Sequence, residues 1–183
     1  MTLPNSLEEQ VSYLDDHPDV GLVASLCEFI DERGETIAAP QSAQSPEQIY
    51  YKLSFSNCFM NCSVSFRREP AIRIGAYDES FRFAMDYDLW LRLSRQTKIV
   101  QLDRMLVKWR DVSTNISNRF KVEQACYAKS AFVKNMRGLL DNEANIEELS
   151  WFHFHASPFE KESTRVTYHL LQLLDHVNSR LVA

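Results

Sequence analysis

The sequence predicts a mixed α/β domain, a sheet with flanking helices, followed by a helical C-terminal extension. Three observations lead to this prediction. The apolar and β-branched run VGLVASLCEFI, at residues 20–30, is typical of a buried strand. Segments with apolar residues three and four positions apart, typical of amphipathic helices, lie on both sides of that strand. After residue 118 the helical spacing continues without a further strand pattern, so we expect domains at 1–118 and 119–183.

The first helix is bounded by recognisable signals. Ser6 and Glu9 match the Ser-x-x-Glu pattern of a capping box, and Pro18 ends the segment. The apolar residues that recur at helical spacing, and that we expect to face the core, are Leu7, Val11 and Leu14.

The remaining elements follow from local pattern. After the strand at 20–30, a turn at 31–34 predicts a hairpin with 35–38, and a short helix is predicted at 47–53. Alternation predicts a strand at 62–67, and a loop holding Pro70 and Gly75 leads to a helix at 85–95. Two short strands at 98–102 and 105–110 precede helices at 120–140 and 166–181.

Composition excludes several classes of protein. The net charge of -5 and the lack of a basic run argue against a nucleic-acid surface. The N-terminus lacks the pattern of a signal peptide and no segment reaches about 20 apolar residues, so we expect a soluble cytoplasmic protein, with the inner face of the membrane as the alternative location. Cys58 and Cys62 lack the second pair of a zinc site, which favours reduced thiols in the core.

Two short patterns resemble metal ligands without meeting their requirements. Asp86 and Asp88 form an Asp-x-Asp triplet, but in a helix residues two apart do not face each other and make a poor chelate. His153 and His155 would share a face in an extended segment, yet no third ligand is evident and aromatic packing is the better interpretation.

Five blocks between residues 7 and 117 carry a family resemblance. They are LEEQVSYLDDHPDVGLV, DERGE, NCFMNCSVSFRRE, GAYDESFRFAMDYDLWLRL and KIVQLDRMLVKWR. In this order and spacing they resemble the second half of bacterial family-two glycosyltransferases with the GT-A fold. The pair GAYDESF and DYDLWLRL is the most specific of them.

The resemblance implies a function for the complete enzyme. Family members transfer a sugar from a nucleotide-sugar donor to an acceptor hydroxyl, usually with inversion. Their N-terminal half holds a divalent cation, Mg or Mn, against the donor diphosphate. This chain resembles the acceptor-side half alone, so we expect it to be inactive in isolation. A glycan or lipid-linked acceptor in cell-envelope or polysaccharide synthesis is implied. The alternative function is a non-catalytic sugar-binding or protein-interaction module. Self-association through the C-terminal helices is a further possible interaction.

Asp86 falls on the position of the family's catalytic base, although Met85 replaces the usual preceding Glu. An acceptor hydroxyl is a weak nucleophile, so a positioned carboxylate must take its proton as the new bond forms. An Asp with a reference pKa of about 3.9 is ionised at neutral pH and ready to accept it. The alternative role of Asp86 is a simple helix N-cap.

Five further residues are candidates with structural alternatives. Gly75 would allow backbone close to the sugars or form an ordinary turn, and Asp88 would orient the acceptor or cap its helix. Arg67 would meet a phosphate or acceptor oxygen or end a strand in solvent, and Trp90 would stack on a sugar or pack in the core. Where relatives carry a metal-binding His, this sequence has Asp111, a weak candidate ligand.

Overall fold

Residues 1–137 are described by the structure, a computed structural model, so the helix predicted at 166–181, His153 and His155 lie outside the described residues. A four-stranded mixed sheet with flanking helices confirms the mixed α/β prediction. The strands are β1 Val20–Ile30, β2 Thr36–Ala38, β3 Val64–Phe66 and β4 Lys98–Arg110. The helices are α1 Ser6–Asp16, α2 Pro46–Leu53, α3 Arg68–Arg73, α4 Met85–Leu93, α5 Ile116–Arg119 and α6 Lys121–Met136.

Strand β1 organises the sheet. It pairs in parallel with β4 along its whole length, from Val20 opposite Lys98 to Ile30 opposite Arg110. Its other edge pairs antiparallel with β3 in the first half and with β2 at the end. The two short strands predicted at 98–102 and 105–110 are therefore one strand, because the exposed residues at 103 and 104 bulge out of the ladder without ending it.

Both faces of β1 are covered, which explains its continuous apolar sequence. On one face Val20 and Val23 pack with Leu14 of α1. On the other face Leu22 and Ala24 belong to a larger core. That core takes its other buried residues from α2, α3, α4, β4, α6 and the loops between them, among them Ile49, Leu53, Trp90, Leu93 and Ala131.

Helix α1 forms where predicted but turns a different face inward. Asn5 occupies the N-cap position and no side-chain cap bond forms, so the predicted capping box is absent. Leu7 and Val11 are exposed, whereas Ser6, Gln10 and Leu14 are buried. The inward face is polar because Gln10 donates a 2.8 Å hydrogen bond to the Ser63 carbonyl and accepts one of 2.6 Å from the Ser65 hydroxyl.

Helix α3 occupies part of the segment predicted as a loop. Pro70 signalled a break, but it lies in the first turn, where a missing N–H costs no helical hydrogen bond. Gly75 ends the helix with φ +89°, and its N–H donates to the Ile72 carbonyl at 2.9 Å. The next N–H, from Ala76, donates to the Ala71 carbonyl at 2.7 Å, which completes a Schellman motif.

Replacing Gly75 by alanine is expected to lower the free energy of unfolding by about 1 kcal/mol, because a left-handed backbone disfavours any Cβ. Among the described residues other than its two chain neighbours, none has a heavy atom within 4 Å of the position that a Cβ would occupy, so the penalty is conformational rather than steric. Urea unfolding measures it. Ala76→Gly is the matched control, since Ala76 also has a positive φ of 52° and should lose no stability. Equal stability of Gly75→Ala and the unaltered chain would contradict the prediction.

Helix α6 corresponds to the first part of the helix predicted at 120–140 and packs against the rest of the described chain. Its buried residues, among them Phe132 and Met136, confirm the end of the predicted apolar stripe, whereas Ala125 is exposed. The boundary at 118 and 119 stays a prediction. Within residues 1–137 no helix has both the length and the apolar character needed to cross a membrane.

Candidate functional site

A cleft of about 530 Å³ opens beside the N-terminus of α4. Four other parts of the chain enclose it: the loop after α2, the end of β4, α5 and the first half of α6. The lining residues are Asn57, Phe59, Met60, Asn61, Cys62, Ala84, Asp86, Tyr87, Trp109, Ser117, Gln124, Ala125 and Ala128.

Asp86 supplies the carboxylate of this cleft. It is half-buried in the first turn of α4, where the helix dipole favours negative charge. Its Oδ1 accepts a 2.8 Å hydrogen bond from the N–H of Tyr87, and its Oδ2 accepts one of 3.0 Å from the Asn57 side chain. Each carboxylate oxygen has a second lone pair, so both can accept a further hydrogen bond from a bound molecule.

Asn57 is held so that its amide donates toward Asp86. The Asn57 Oδ1 accepts a 3.2 Å hydrogen bond from the N–H of Phe59. A backbone N–H is only a donor, so this contact fixes which end of the amide is the oxygen and directs the NH₂ group to Asp86. The carboxylate is therefore fixed from two sides, by its own helix and by the loop after α2.

The loop that leads into Asp86 is bounded by two strained residues. Ala76 and Ala84 both lie in the left-handed region, with φ of 52° and 54°, which is uncommon for residues other than glycine. Tyr77 lies between them. Burial raises the pKa of its phenol, and the negative charge of the nearby Asp86 raises it further. Such strain persists only where surrounding contacts enforce it.

A buried ion-pair cluster supplies such a contact to Ala76. Asp88, with 3% of its side chain exposed, accepts a 2.8 Å hydrogen bond from Arg92 Nε and one of 3.1 Å from Lys134. Arg92 also donates to the carbonyls of Ile74 and Ala76, at 2.8 and 2.6 Å. The cluster thereby ties α4 to both α6 and the start of the loop.

Lys134 completes the cluster with a 2.7 Å salt bridge to Asp78 in the same loop. The Lys134 ammonium, with the Ser80 hydroxyl and N–H, holds the pKa of Asp78 well below its usual range. Burial opposes the charge on Lys134, but the hydrogen bonds to Asp78 and Asp88 outweigh it and raise the Lys134 pKa.

The other predicted site residues lie apart from Asp86. Trp90 is fully buried and meets Phe66 edge to face, with ring centroids 5.4 Å apart. Arg67 donates to the carbonyls of Val20, Leu14 and His17, so it joins the end of α1 to the start of β1. Asp88 belongs to the ion-pair cluster, and Gly75 to the end of α3. Only Asp86 of the predicted set lines the cleft.

The arrangement of possible ligands decides whether the described residues could hold a metal ion. Within residues 1–137, no three His, Cys, Asp or Glu side chains are grouped so as to hold a metal ion. Asp111 is exposed, and its Oδ1 accepts a 2.8 Å hydrogen bond from Asn118. One carboxylate of this kind does not make a divalent cation site, so the described residues do not fit the cation that the resemblance implies.

Two thiols meet at the edge of the cleft. A hydrogen bond from the buried Cys27 thiol lowers the pKa of the Cys62 thiol to about 6, against the opposing effect of partial burial. The same contact, reinforced by burial, raises the pKa of Cys27. Cys58, on the loop between them, differs because burial raises its pKa to about 12. Cys62 is thus the thiol of this group that ionises first.

Cys62 is expected to react with iodoacetamide on the order of 100-fold faster than Cys58 at pH 7, because its thiol is far more ionised than the buried thiol of Cys58. Peptide mass spectrometry after timed labelling measures both rates. The Cys62 rate should rise with pH through about 6 and then level off. Cys27→Ala removes the hydrogen bond and should slow labelling at pH 6.5 several-fold. A rate that still climbs steeply above pH 8 would contradict the assignment.

The cleft residues that were not singled out from the sequence include Asn57, Trp109 and Gln124. Asn57 stands within the block NCFMNCSVSFRRE, which drew attention to the segment but not to the amide. Trp109 ends β4, where its indole meets Phe29 edge to face at 5.6 Å. Gln124 lies on α6, and nothing in its local pattern indicates that this helix would close one side of the cleft.

The chain is similar to curated glycosyltransferases. It is 30% identical over 118 residues to the amylovoran biosynthesis glycosyltransferase AmsE of Erwinia amylovora, covering 64% of this chain and 44% of that protein. It is 29% identical over 139 residues to the O-antigen biosynthesis glycosyltransferase WbnJ of Escherichia coli, covering 73% and 54%. An uncharacterized glycosyltransferase of Methanocaldococcus jannaschii is 24% identical over 146 residues, covering 78% and 50%.

These similarities support a glycosyltransferase role. The chain spans about half the length of the curated relatives it matches. No protein-family model matches the chain.

Proposed function

We propose that this chain is the acceptor-side part of a nucleotide-sugar-dependent glycosyltransferase of family two with a GT-A-like fold, and that Asp86 is its catalytic base. One observation carries the proposal: a half-buried carboxylate, held by two hydrogen bonds, opens into a cleft large enough for a small ligand. The similarity to named glycosyltransferases supports the glycosyltransferase role within this proposal.

The proposed step moves one proton and exchanges one bond. The acceptor hydroxyl loses its proton to Asp86 while its oxygen forms a bond to the anomeric carbon of the donor. The bond from that carbon to the diphosphate oxygen breaks, and its electron pair leaves with the nucleotide diphosphate. Attack from the side opposite the leaving group inverts the anomeric carbon. Asp86 then returns the proton to water.

Asn57 has a positioning role in this proposal. A base must lie within hydrogen-bond reach of the proton that it takes, and an Asp side chain free to rotate would meet that condition only part of the time. The 3.0 Å contact from the Asn57 amide restrains Asp86 without occupying every lone pair. The carboxylate therefore stays both fixed and available.

The donor diphosphate and its divalent cation are assigned to no described residue. Among residues 1–137, no three His, Cys, Asp or Glu side chains are grouped so as to hold such a cation. By the resemblance, both would be held by the other half of the complete enzyme. We therefore expect the isolated chain to release no nucleotide from a sugar donor.

The biological setting is proposed from the relatives. The names of two of them refer to amylovoran and to O-antigen biosynthesis. We propose a related place for this chain, in the synthesis of cell-envelope or polysaccharide glycans at the cytoplasmic side of the membrane. The acceptor would then be a growing glycan or a lipid-linked sugar.

A coupled transfer assay tests the function. The full natural protein is incubated with UDP- and dTDP-hexoses, Mn²⁺ or Mg²⁺, and a membrane extract as the source of acceptor, and release of the nucleoside diphosphate is measured. Release that depends on the extract, with an inverted anomeric carbon in the product by NMR, is the expected result. Retention of configuration would remove the role of Asp86 as a base in direct displacement.

The alternative function is a non-catalytic sugar-binding module on the same fold. Met85 in place of the usual Glu is the observation that favours it, since the residue before the base is altered. Saturable binding of glycans without nucleotide release from any donor, in the same assay, would support that alternative and reject the enzyme.

A further inference from the structure

We propose that the cleft at Asp86 is an acceptor subsite for an uncharged sugar ring and that Trp109 is its aromatic platform. The inference rests on the proposed function for the reaction that follows. The binding itself does not depend on that reaction and can be measured on the chain alone.

The charge of the lining selects against phosphate groups. None of the described residues that line the cleft is Lys or Arg, and its readily ionised groups, the Asp86 carboxylate and the Cys62 thiol, both become negative. Phosphate groups are usually bound by guanidinium or ammonium groups or by free N–H groups at a helix start. Here the start of α4 already faces the Asp86 carboxylate, whose charge repels an anion. A donor diphosphate is therefore disfavoured in this cleft.

The polar lining instead matches a neutral polyol. Amide and hydroxyl side chains supply both donors and acceptors to ligand hydroxyls. They come from three separate parts of the chain: Asn57 and Asn61, Ser117, and Gln124. Asp86 accepts one more hydrogen bond, and the hydroxyl that donates it is the one that the proposed reaction would activate.

Trp109 supplies the apolar surface that a sugar ring needs for its C–H face. The residue is half-buried and lines the cleft beside Phe59 and Met60. Its contact with Phe29, at 5.6 Å and an interplanar angle of 68°, restrains the indole from the neighbouring strand. A restrained aromatic ring with a few converging polar groups is the usual composition of a small-molecule site.

The α6 side of the cleft leaves space for such a ring. Its contributions are Gln124 and two small residues, Ala125 and Ala128. Ala125 is exposed, so a larger side chain there can project into the cleft without entering the core. The variant Ala125→Phe is therefore a blocking substitution that should leave the fold intact.

Binding is tested by NMR of the tryptophan indoles. The ¹⁵N-labelled chain has three, Trp90, Trp109 and Trp151, which are assigned by single Trp→Phe variants. The probes are the methyl β-glycosides of glucose, galactose and N-acetylglucosamine, with glucose 1-phosphate as the anionic comparison. We expect at least one glycoside to shift the Trp109 resonance with a Kd of about 1–50 mM and to leave Trp90, fully buried in the core, unchanged.

Two variants decide the location. Ala125→Phe should weaken glycoside binding at least 5-fold while the Trp90 resonance keeps its position, and Gln124→Ala should weaken it by a smaller factor. No Trp109 shift with any glycoside up to 100 mM, or tighter binding of glucose 1-phosphate, would overturn the proposal. So would full binding by Ala125→Phe.

Asp86→Asn separates this inference from the proposed function. The variant keeps the aromatic and amide groups and should still bind the glycoside within a factor of about 3. Glycoside binding together with undiminished transfer by that variant would retain the subsite and reject the base. Lost transfer without glycoside binding to the chain would retain the base and reject the subsite.

Discussion

Asp86→Asn is expected to lower the turnover of the complete enzyme by at least ~100-fold, because general-base catalysis contributes about 10²–10⁴-fold. Asparagine has nearly the same shape and can still accept the 2.8 Å hydrogen bond from the Tyr87 N–H, but it cannot take a proton. The loss should fall on kcat, while the KM for the donor stays nearly unchanged. Steady-state kinetics of nucleotide release measure both.

Two controls make this test specific. Asp15→Asn makes the same chemical change on the exposed side of α1 and should leave kcat unaltered. Asp86→Glu keeps a carboxylate but moves it by one methylene, so it should recover at least 10-fold of the activity lost in Asp86→Asn. Transfer by Asp86→Asn at near-normal rate would exclude this residue as the base.

Asp88→Asn is expected to lower the free energy of unfolding by about 3–5 kcal/mol, the usual cost of removing one partner of a buried ion pair. The substitution keeps the shape of the side chain but leaves the charges of Arg92 and Lys134 without their shared buried partner. Both cations remain beside α4, and Arg92 is only 19% exposed. Urea unfolding and a fall in Tm of roughly 10 °C would measure the effect.

Glu69→Gln is the matched control for that substitution. Glu69 pairs with Arg73 at 2.7 Å across the same four-residue helical spacing, but both side chains are more than half exposed. Exposed pairs contribute about 0–1 kcal/mol, so this variant should be nearly as stable as the unaltered chain. Similar losses in the two variants would show that burial does not set the strength of the Asp88 cluster.

Local pattern was sufficient for the elements whose sequences and surroundings agree. The apolar run of β1 and the helical spacing of α2 and α4 predicted those elements almost to their ends. Local pattern failed where contacts between distant parts of the chain decide which side chains are buried. The buried face of α1 is set by hydrogen bonds between Gln10 and residues more than fifty positions later. The apolar side chains of Leu7 and Val11 are therefore exposed.

The candidate site was accessible to sequence reasoning only in part. Asp86 was chosen as the candidate base through a family resemblance, since its local sequence alone favours an N-cap. Asn57, Trp109 and Gln124 lie on a loop, a strand and a helix that meet only in the folded chain. The contacts of Arg67 were equally inaccessible, because a cation at a strand end gives no sign that it will donate hydrogen bonds to three backbone carbonyl groups.

The pairing of β1 with β4 has a consequence for synthesis in the cell. Strand β1 cannot pair with β4 until β4 has been synthesised, because Val20 lies opposite Lys98 and Ile30 opposite Arg110. At roughly 5–20 residues per second, a ribosome exposes the VGLVASLCEFI segment for several seconds with that edge open. Nascent chains stalled before residue 98 should therefore engage holding chaperones, and release from them should coincide with emergence of the fourth strand.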